Sequence, residues 1–234
     1  MNMDWVFAGA GAEFLVTINL YHSEADTLPY QPKHHTLNQE AAMIKKFPGG
    51  FFAEAGEWAR KRWWPLRLLL WLYFSYVFFN HLRDPFYQSW FKPINLGIHE
   101  LGHVLFSMFG QFLAIAGGSI VQLLVPVISF FIFYRQRDFF AISVSAMWLS
   151  TNLFDVSTYM ADARAMELPL VSPFGGDDVI HDWNFLLERM NLLKMDYLLA
   201  GMVKAFAVVS MVAGLSFAGW LLLKMIRDLG DAKI

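Results

Sequence analysis

The residues most able to do chemistry lie in one short motif, His99-Glu100-Leu101-Gly102-His103, which has the pattern HExxH. On an α-helix, histidines four positions apart lie on one face, within reach of a single metal ion. Two neutral imidazoles can hold Zn²⁺, and a neighbouring carboxylate can take a proton from the metal-bound water, whose pKa the metal lowers to about 7. The motif therefore predicts a hydrolytic zinc centre with His99 and His103 as ligands and Glu100 as general base.

The surroundings of the motif argue against a chance match on a solvated helix. Its flanks are apolar on every side and comprise Ile94, Leu96, Ile98, Val104, Leu105, Phe106, Met108 and Phe109. Ionisable groups are costly in such a helix without a partner, and those inside membrane segments mark functional sites. We therefore interpret the motif as a metal site within a membrane.

The composition is that of a polytopic membrane protein. Of the 234 residues, 56% are hydrophobic and 16% are charged, whereas ordinary soluble domains have about 25% charged residues. The formal net charge is −2, and the basic residues form short clusters at the ends of apolar segments, which gives no case for nucleic acid binding. The chain has no cysteine, so any metal ligands come from His, Asp or Glu.

The apolar segments predict the organisation of the chain. Residues 1–60 are expected to form a peripheral or interfacial segment, and residues 61–234 a membrane-embedded, metalloprotease-like domain. Spans are predicted at the long apolar runs 66–79, 120–134, 139–166 and 197–223; a basic and aromatic cluster precedes the first, and basic residues follow the second and the last. The glycine-containing stretch 110–119 predicts irregular backbone at membrane depth, which is tolerated only where protein or water covers it.

A catalytic zinc keeps three protein ligands and one open position, so the motif needs a further ligand. The predicted helix at 139–166 carries a polar stripe at helical spacing, formed by Asn152, Asp155, Tyr159 and Asp162. Asp155 lies deeper in this helix, whereas Asp162 lies near its end, where an interfacial ion pair is tolerated. His181 follows a glycine-containing loop and is a rival ligand.

These motifs resemble the site-2-protease family of intramembrane zinc metalloproteases. The similarity lies in HELGH at 99–103, the glycine-containing segment after it, and Asn152-Leu153-Phe154-Asp155 in a later helix. The resemblance implies that His99 and His103 are zinc ligands, that Glu100 is the base, and that Asp155 or Asp162 is the third ligand.

A second resemblance involves the residues just after this stretch. Thr158-Tyr159-Met160-Ala161-Asp162 is similar to the Glu-Tyr-x-Ala-Asp pattern of integral-membrane zinc proteases that process prenylated proteins. Thr158 stands where that pattern has its ligand Glu, and we rank this resemblance second.

The topology follows from bringing His99 and Asp155 together. Lys92 and Asp162 must then lie on one side of the membrane and Arg137 on the other, so the stretch 93–135 crosses an odd number of times. We therefore predict an all-α, polytopic protein with about four transmembrane spans and a re-entrant HExxH element that includes its glycine loop. The basic clusters then share one side, which places the site toward the extracytoplasmic face of an expected bacterial inner (plasma) membrane.

The leading functional hypothesis is zinc-dependent hydrolysis of peptide bonds in or next to the membrane. Its expected partners are the lipid bilayer and a membrane-anchored protein or peptide substrate. The rival is a non-catalytic membrane scaffold, a subunit of a larger membrane complex that retains a metal site or its remnant.

Overall fold

A computed structural model describes residues 50–60, 62–169 and 180–231, with side chains up to Asp228, and this part of the chain contains helices and no strand. The α-helices are α1 Gly50–Ala59, α2 Pro65–Arg83, α3 Lys92–Phe106, α4 Gln111–Gln136, α5 Phe139–Ala161, α6 Asp182–Arg189 and α7 Asp196–Asp231. Short 3₁₀ turns, Ser107–Phe109 and Leu193–Met195, precede α4 and α7. The all-α prediction is confirmed for the described residues.

Three helical segments are long and apolar enough to cross a membrane: Gln111–Gln136, Phe139–Ala161 and Leu193–Asp228. They correspond to three of the predicted spans, and they support the assignment of the chain as a membrane protein. The remaining predicted span falls in α2, a helix of 19 residues that is not in this group.

α5 and α7 form an antiparallel pair that is joined by side-chain hydroxyls. Three serine hydroxyls donate to backbone carbonyls of the opposite helix: Ser157 to Ala200 at 2.9 Å, Ser150 to Ala207 at 2.7 Å, and Ser210 to Ala146 at 2.7 Å. A serine partnered in this way carries no unsatisfied polar group into an apolar interface. These contacts fix the register of the two helices.

α3 and α4 cross at their glycines. A Cβ added to Gly102 would lie 2.2 Å from the carbonyl oxygen of Gly117, and one added to Gly117 would lie 2.5 Å from the oxygen of Gly102. Only glycine permits such a close backbone approach. The prediction of irregular backbone over residues 110–119 is therefore wrong: α4 is continuous from Gln111, because this packing offsets the weak helix propensity of glycine, about 1 kcal/mol per residue.

The segment between α2 and α3 reverses the direction of the chain and runs back along α2. At its start, the carbonyl of Pro85 accepts a hydrogen bond from Thr158 near the end of α5. At its end, the backbone N–H of Trp90 donates to the hydroxyl of Tyr73, and the Phe91 ring stacks on Phe74. α3 therefore begins in the middle of the bundle and runs toward the end where α5 finishes.

The short helices pack on the two ends of this bundle. α1 buries Ala55 and Ala59 in a cluster with Phe139 and Leu221, and residues 49–234 form one compact unit. α6 buries Leu187 in a separate cluster at the other end of the bundle. The predicted 1–60 segment lies, apart from α1 and Arg60, outside the described residues.

Candidate metal centre

The two histidines of the HExxH motif converge on one carboxylate oxygen. His99 Nε2 lies 2.9 Å from Asp182 Oδ2, and His103 Nε2 lies 3.3 Å from the same atom. Asp182 is the first residue of α6 and is only 7% exposed. The site therefore joins α3 to the segment that connects α5 and α7.

The other ring nitrogen of each histidine, Nδ1, lies within hydrogen-bond distance of an acceptor oxygen. His103 Nδ1 lies 2.9 Å from the backbone oxygen of Ala114, and His99 Nδ1 lies 2.9 Å from Gln122 Oε1. Oxygens of this kind only accept, so each Nδ1 carries a hydrogen, and Nε2 is the ring nitrogen that can bind a metal ion in exchange for a proton.

Two Nε2 atoms and the Asp182 carboxylate therefore converge, and each of the three can donate an electron pair once the proton between them is displaced. Such a group is repulsive unless a cation or a proton lies between its members. Neutral imidazole and carboxylate are ligands that zinc accepts. The donor set consequently fits a divalent metal ion.

Glu100 lies beside these donors. Ligand atoms of His99, Glu100 and His103 all lie within 4.8 Å of one another, so this group could hold a metal ion. Glu100 is half-buried on the same helix. Its carboxylate is therefore within reach of groups bound at the site.

Gly118 of α4 borders the site on one side. A Cβ at this position would lie 2.6 Å from both His99 Nε2 and His103 Nε2. Such an atom would occupy the space in front of the two ring nitrogens, where a metal ion would bind at about 2.0–2.1 Å. Glycine therefore keeps this space open.

The end of α5 holds Asp182 in position. The backbone N–H of Asp182 donates to the hydroxyl of Tyr159 at 3.0 Å. The preceding residue, His181, caps α6 by accepting from the N–H of Asn184 at 3.2 Å, and its Nε2 lies 3.3 Å from Asp162 Oδ2. These contacts dock the start of α6 against α5.

The Asp182 carboxyl is in its ionised form. Burial on its own would raise its pKa, but hydrogen bonds and charge interactions with His103 and His99 outweigh that effect and lower the pKa below its usual value. A carboxylate must be deprotonated to bind a metal, so this shift suits a ligand.

The predicted site residues fall into two groups. His99, Glu100 and His103 lie together, as the helical spacing required. Asp155 instead lies 3.2 Å from Lys92 Nζ and 3.3 Å from Asn95 Nδ2, and Asp162 accepts from the backbone N–H groups of Glu167 and Leu168 in addition to contacting His181. The oxygens of Asp155 and Asp162 thus contact other groups. The carboxylate that contacts the two imidazoles is that of Asp182.

Two residues of the site escaped the sequence reasoning. Asp182 had a weak signal, an acidic residue next to His181 at the start of a short amphipathic helix. Gln122 had a clearer one, as a lone amide in the apolar run 120–134, where a buried polar side chain needs a partner.

Comparison with known proteins adds no relative: no family model, curated protein or solved structure matches this chain. The site is therefore interpreted from its own residues.

Proposed function

We propose that this chain is a zinc-dependent membrane peptidase that hydrolyses peptide bonds of a membrane-anchored protein or peptide, in or next to the bilayer. The observation that carries the proposal is the convergence of His99 Nε2, His103 Nε2 and Asp182 Oδ2, with Glu100 beside them. Three protein ligands with one position left open are typical of catalytic zinc, whereas structural zinc has four.

Each residue then has one task. His99, His103 and Asp182 would hold the zinc, whose chemistry would be to activate water and polarise a carbonyl group. Glu100 accepts the proton of the attacking water and passes it to the departing amine nitrogen as the C–N bond breaks. Gln122 and the carbonyl of Ala114 keep the hydrogen on each Nδ1, so that Nε2 stays available.

For the topology we propose four spans and a re-entrant element. α2 would be the further span: at one end its Arg67 lies over Phe140 near the start of α5, and just past its other end Pro85 contacts Thr158. A helix of 19 residues is about 28 Å long, close to the thickness of the bilayer core. The re-entrant element would comprise residues 84–91 and α3.

Charge supports an orientation for this arrangement. Basic residues are more numerous at the end of the bundle opposite to the metal centre, where Arg60, Arg62, Arg67, Arg135, Arg137, Lys224 and Arg227 lie, than at the end of the metal centre, where Arg83, Arg164, Arg189 and Lys194 lie. Under the positive-inside rule that end is cytoplasmic. The site would then open toward the extracytoplasmic side, and a bacterial inner membrane is the setting that we propose.

The test is the substitution Glu100→Gln in the full chain. Removing a general base costs about 10²–10⁴-fold in rate, and zinc should be retained because Glu100 is not a ligand in this scheme. Zinc content, thermal stability and cleavage of co-expressed membrane-anchored substrates are measured for wild type and variant side by side. Unchanged cleavage in a zinc-replete variant would exclude Glu100 as the base.

The scaffold hypothesis is separated by metal analysis. The peptidase predicts close to one zinc per purified chain and its loss in His103→Ala. A metal-free wild-type chain that purifies as a tight subunit of a membrane complex would support the scaffold instead.

A further inference from the structure

Two arginines at the junction of α1 and α2 lie over one tryptophan. The guanidinium carbon of Arg62 is 4.2 Å from the centroid of the Trp58 ring, and that of Arg67 is 5.6 Å from it. The Arg62 side chain is exposed and that of Arg67 is half-buried. The indole therefore brings two fixed positive charges close together at the surface.

Neither of these charges is neutralised by a carboxylate in the part of the chain that the structure describes. Nearby arginines do have acidic partners: Arg60 lies 3.1 Å from Glu57, and Arg137 lies 2.7 Å from Glu54. Arg62 instead uses its Nε to contact the backbone oxygen of Trp58, and Arg67 uses one Nη to contact that of Trp63. Each guanidinium thus keeps N–H donors for an external anion.

The surroundings of the pair are those of a membrane interface. Pro65 begins the apolar helix α2 just after Arg62, and Trp63 is 62% exposed beside it. Along α2, Leu66 and Leu69 are 61% and 62% exposed. Positive charge next to exposed leucines suits the binding of a lipid, because the acyl chains can cover the leucines while the headgroup contacts the arginines.

We propose that Arg62 and Arg67 bind the phosphate of an anionic phospholipid headgroup, with Trp58 as the platform that orders both guanidinium groups. Guanidinium is planar and can pair with phosphate oxygens through two hydrogen bonds, and its stacking on an indole leaves those donors free. The exposed leucines favour a lipid over a soluble phosphate. This inference does not depend on the metal centre or on peptidase activity.

The test uses the purified full chain in detergent and native mass spectrometry. Phosphatidylglycerol and phosphatidylcholine with identical acyl chains are titrated against wild type, the double variant Arg62→Gln/Arg67→Gln and the control Arg83→Gln. Arg83 is a matched control because it also lies over an aromatic ring, 5.0 Å from Phe79, at the opposite end of α2. At about 1 kcal/mol per basic residue, the double variant should lose about 10- to 30-fold in affinity for phosphatidylglycerol, and Arg83→Gln should lose little.

Several outcomes would overturn the lipid site. These are equal affinity of wild type for the two lipids, an unchanged preference in the double variant, or an equal loss in Arg83→Gln. Displacement of the lipid by glycerol phosphate at equal concentration would instead indicate a soluble-phosphate site. If the Gln variant does not fold, Arg62→Lys/Arg67→Lys keeps the charge without the paired hydrogen bonds, and it should lose several-fold in affinity; no loss would contradict the geometry.

Discussion

Two polar clusters lie along α3, and they differ in how their charges are balanced. The first, here called the anchor cluster, consists of Lys92, Asn95, Trp148 and Asp155. In it Lys92 Nζ and Asn95 Nδ2 both donate to Asp155, and Trp148 Nε1 donates to Asn95 Oδ1 at 2.9 Å. The second is the candidate metal centre, in which two imidazole nitrogens face one carboxylate.

The difference separates a structural carboxylate from a ligand. Asp155 has its own ammonium partner, so its negative charge is compensated within the chain. In the part of the chain that the structure describes, the side-chain partners of the Asp182 carboxylate are the imidazoles of His99 and His103. A buried carboxylate whose partners are imidazoles, which can exchange a proton for a metal ion, is the one suited to share such an ion with them.

The largest expected effect tests this contrast directly. Asp182→Ala should lower zinc affinity by more than about 100-fold, since even residues that only orient metal ligands cost 10–100-fold when removed. Asp155→Ala should leave zinc affinity within about tenfold of wild type, because Asp155 contacts α3 only through Lys92 and Asn95. Competition with a chromophoric chelator measures both. A larger loss of zinc affinity in Asp155→Ala than in Asp182→Ala would make Asp155 the ligand and would contradict the contrast between the two clusters.

The second effect is steric and leaves every candidate ligand in place. Gly118→Ala would put a methyl group 2.6 Å from both Nε2 atoms, and zinc affinity should fall about 100-fold while the helical circular dichroism is retained. Gly97→Ala is the matched control, since a Cβ there meets nothing within 4 Å. Normal zinc binding in Gly118→Ala would show that the metal does not lie between these nitrogens.

The smallest expected effect concerns the anchor cluster and tests whether Asp155 serves to balance the charge of Lys92. Asp155→Leu should destabilise the fold by about 2 kcal/mol, less than a fully buried broken pair because Lys92 is 36% exposed. Adding Lys92→Met should restore most of that loss, because an apolar pair of similar volume often replaces a buried ion pair without cost. Denaturant unfolding in the same detergent gives both values. No recovery in the double variant would mean that Asp155 does more than balance Lys92.

The sequence predicted those parts of the site that depend on local geometry. The spacing of His99 and His103 is a property of any helix, so their common face followed from the motif. The third carboxylate did not, because Asp182 is 83 positions from His99. The polar stripe on α5 suggested nearer candidates, and periodicity shows that such residues need partners without showing which partners they find.

The same division applies to the fold. The long apolar runs predicted the positions of α2, α4, α5 and α7, because burial in lipid or protein requires continuous apolar helix. The glycines of α4 misled the prediction, since their local preference is against helix. Their actual role, the close crossing with Gly102, is a tertiary contact that appears only when both helices are placed.

The distance along the chain between His99 and Asp182 also orders events during synthesis. At about 5–20 residues per second, the 83-residue separation means that the imidazoles leave the ribosome roughly 4 to 17 s before the carboxylate. In that interval α4 and α5 are made, and α3 carries His99 and His103 without Asp182. An ion that requires all three groups would be captured only after α6 has emerged and docked, so metal uptake would be a late step of biogenesis.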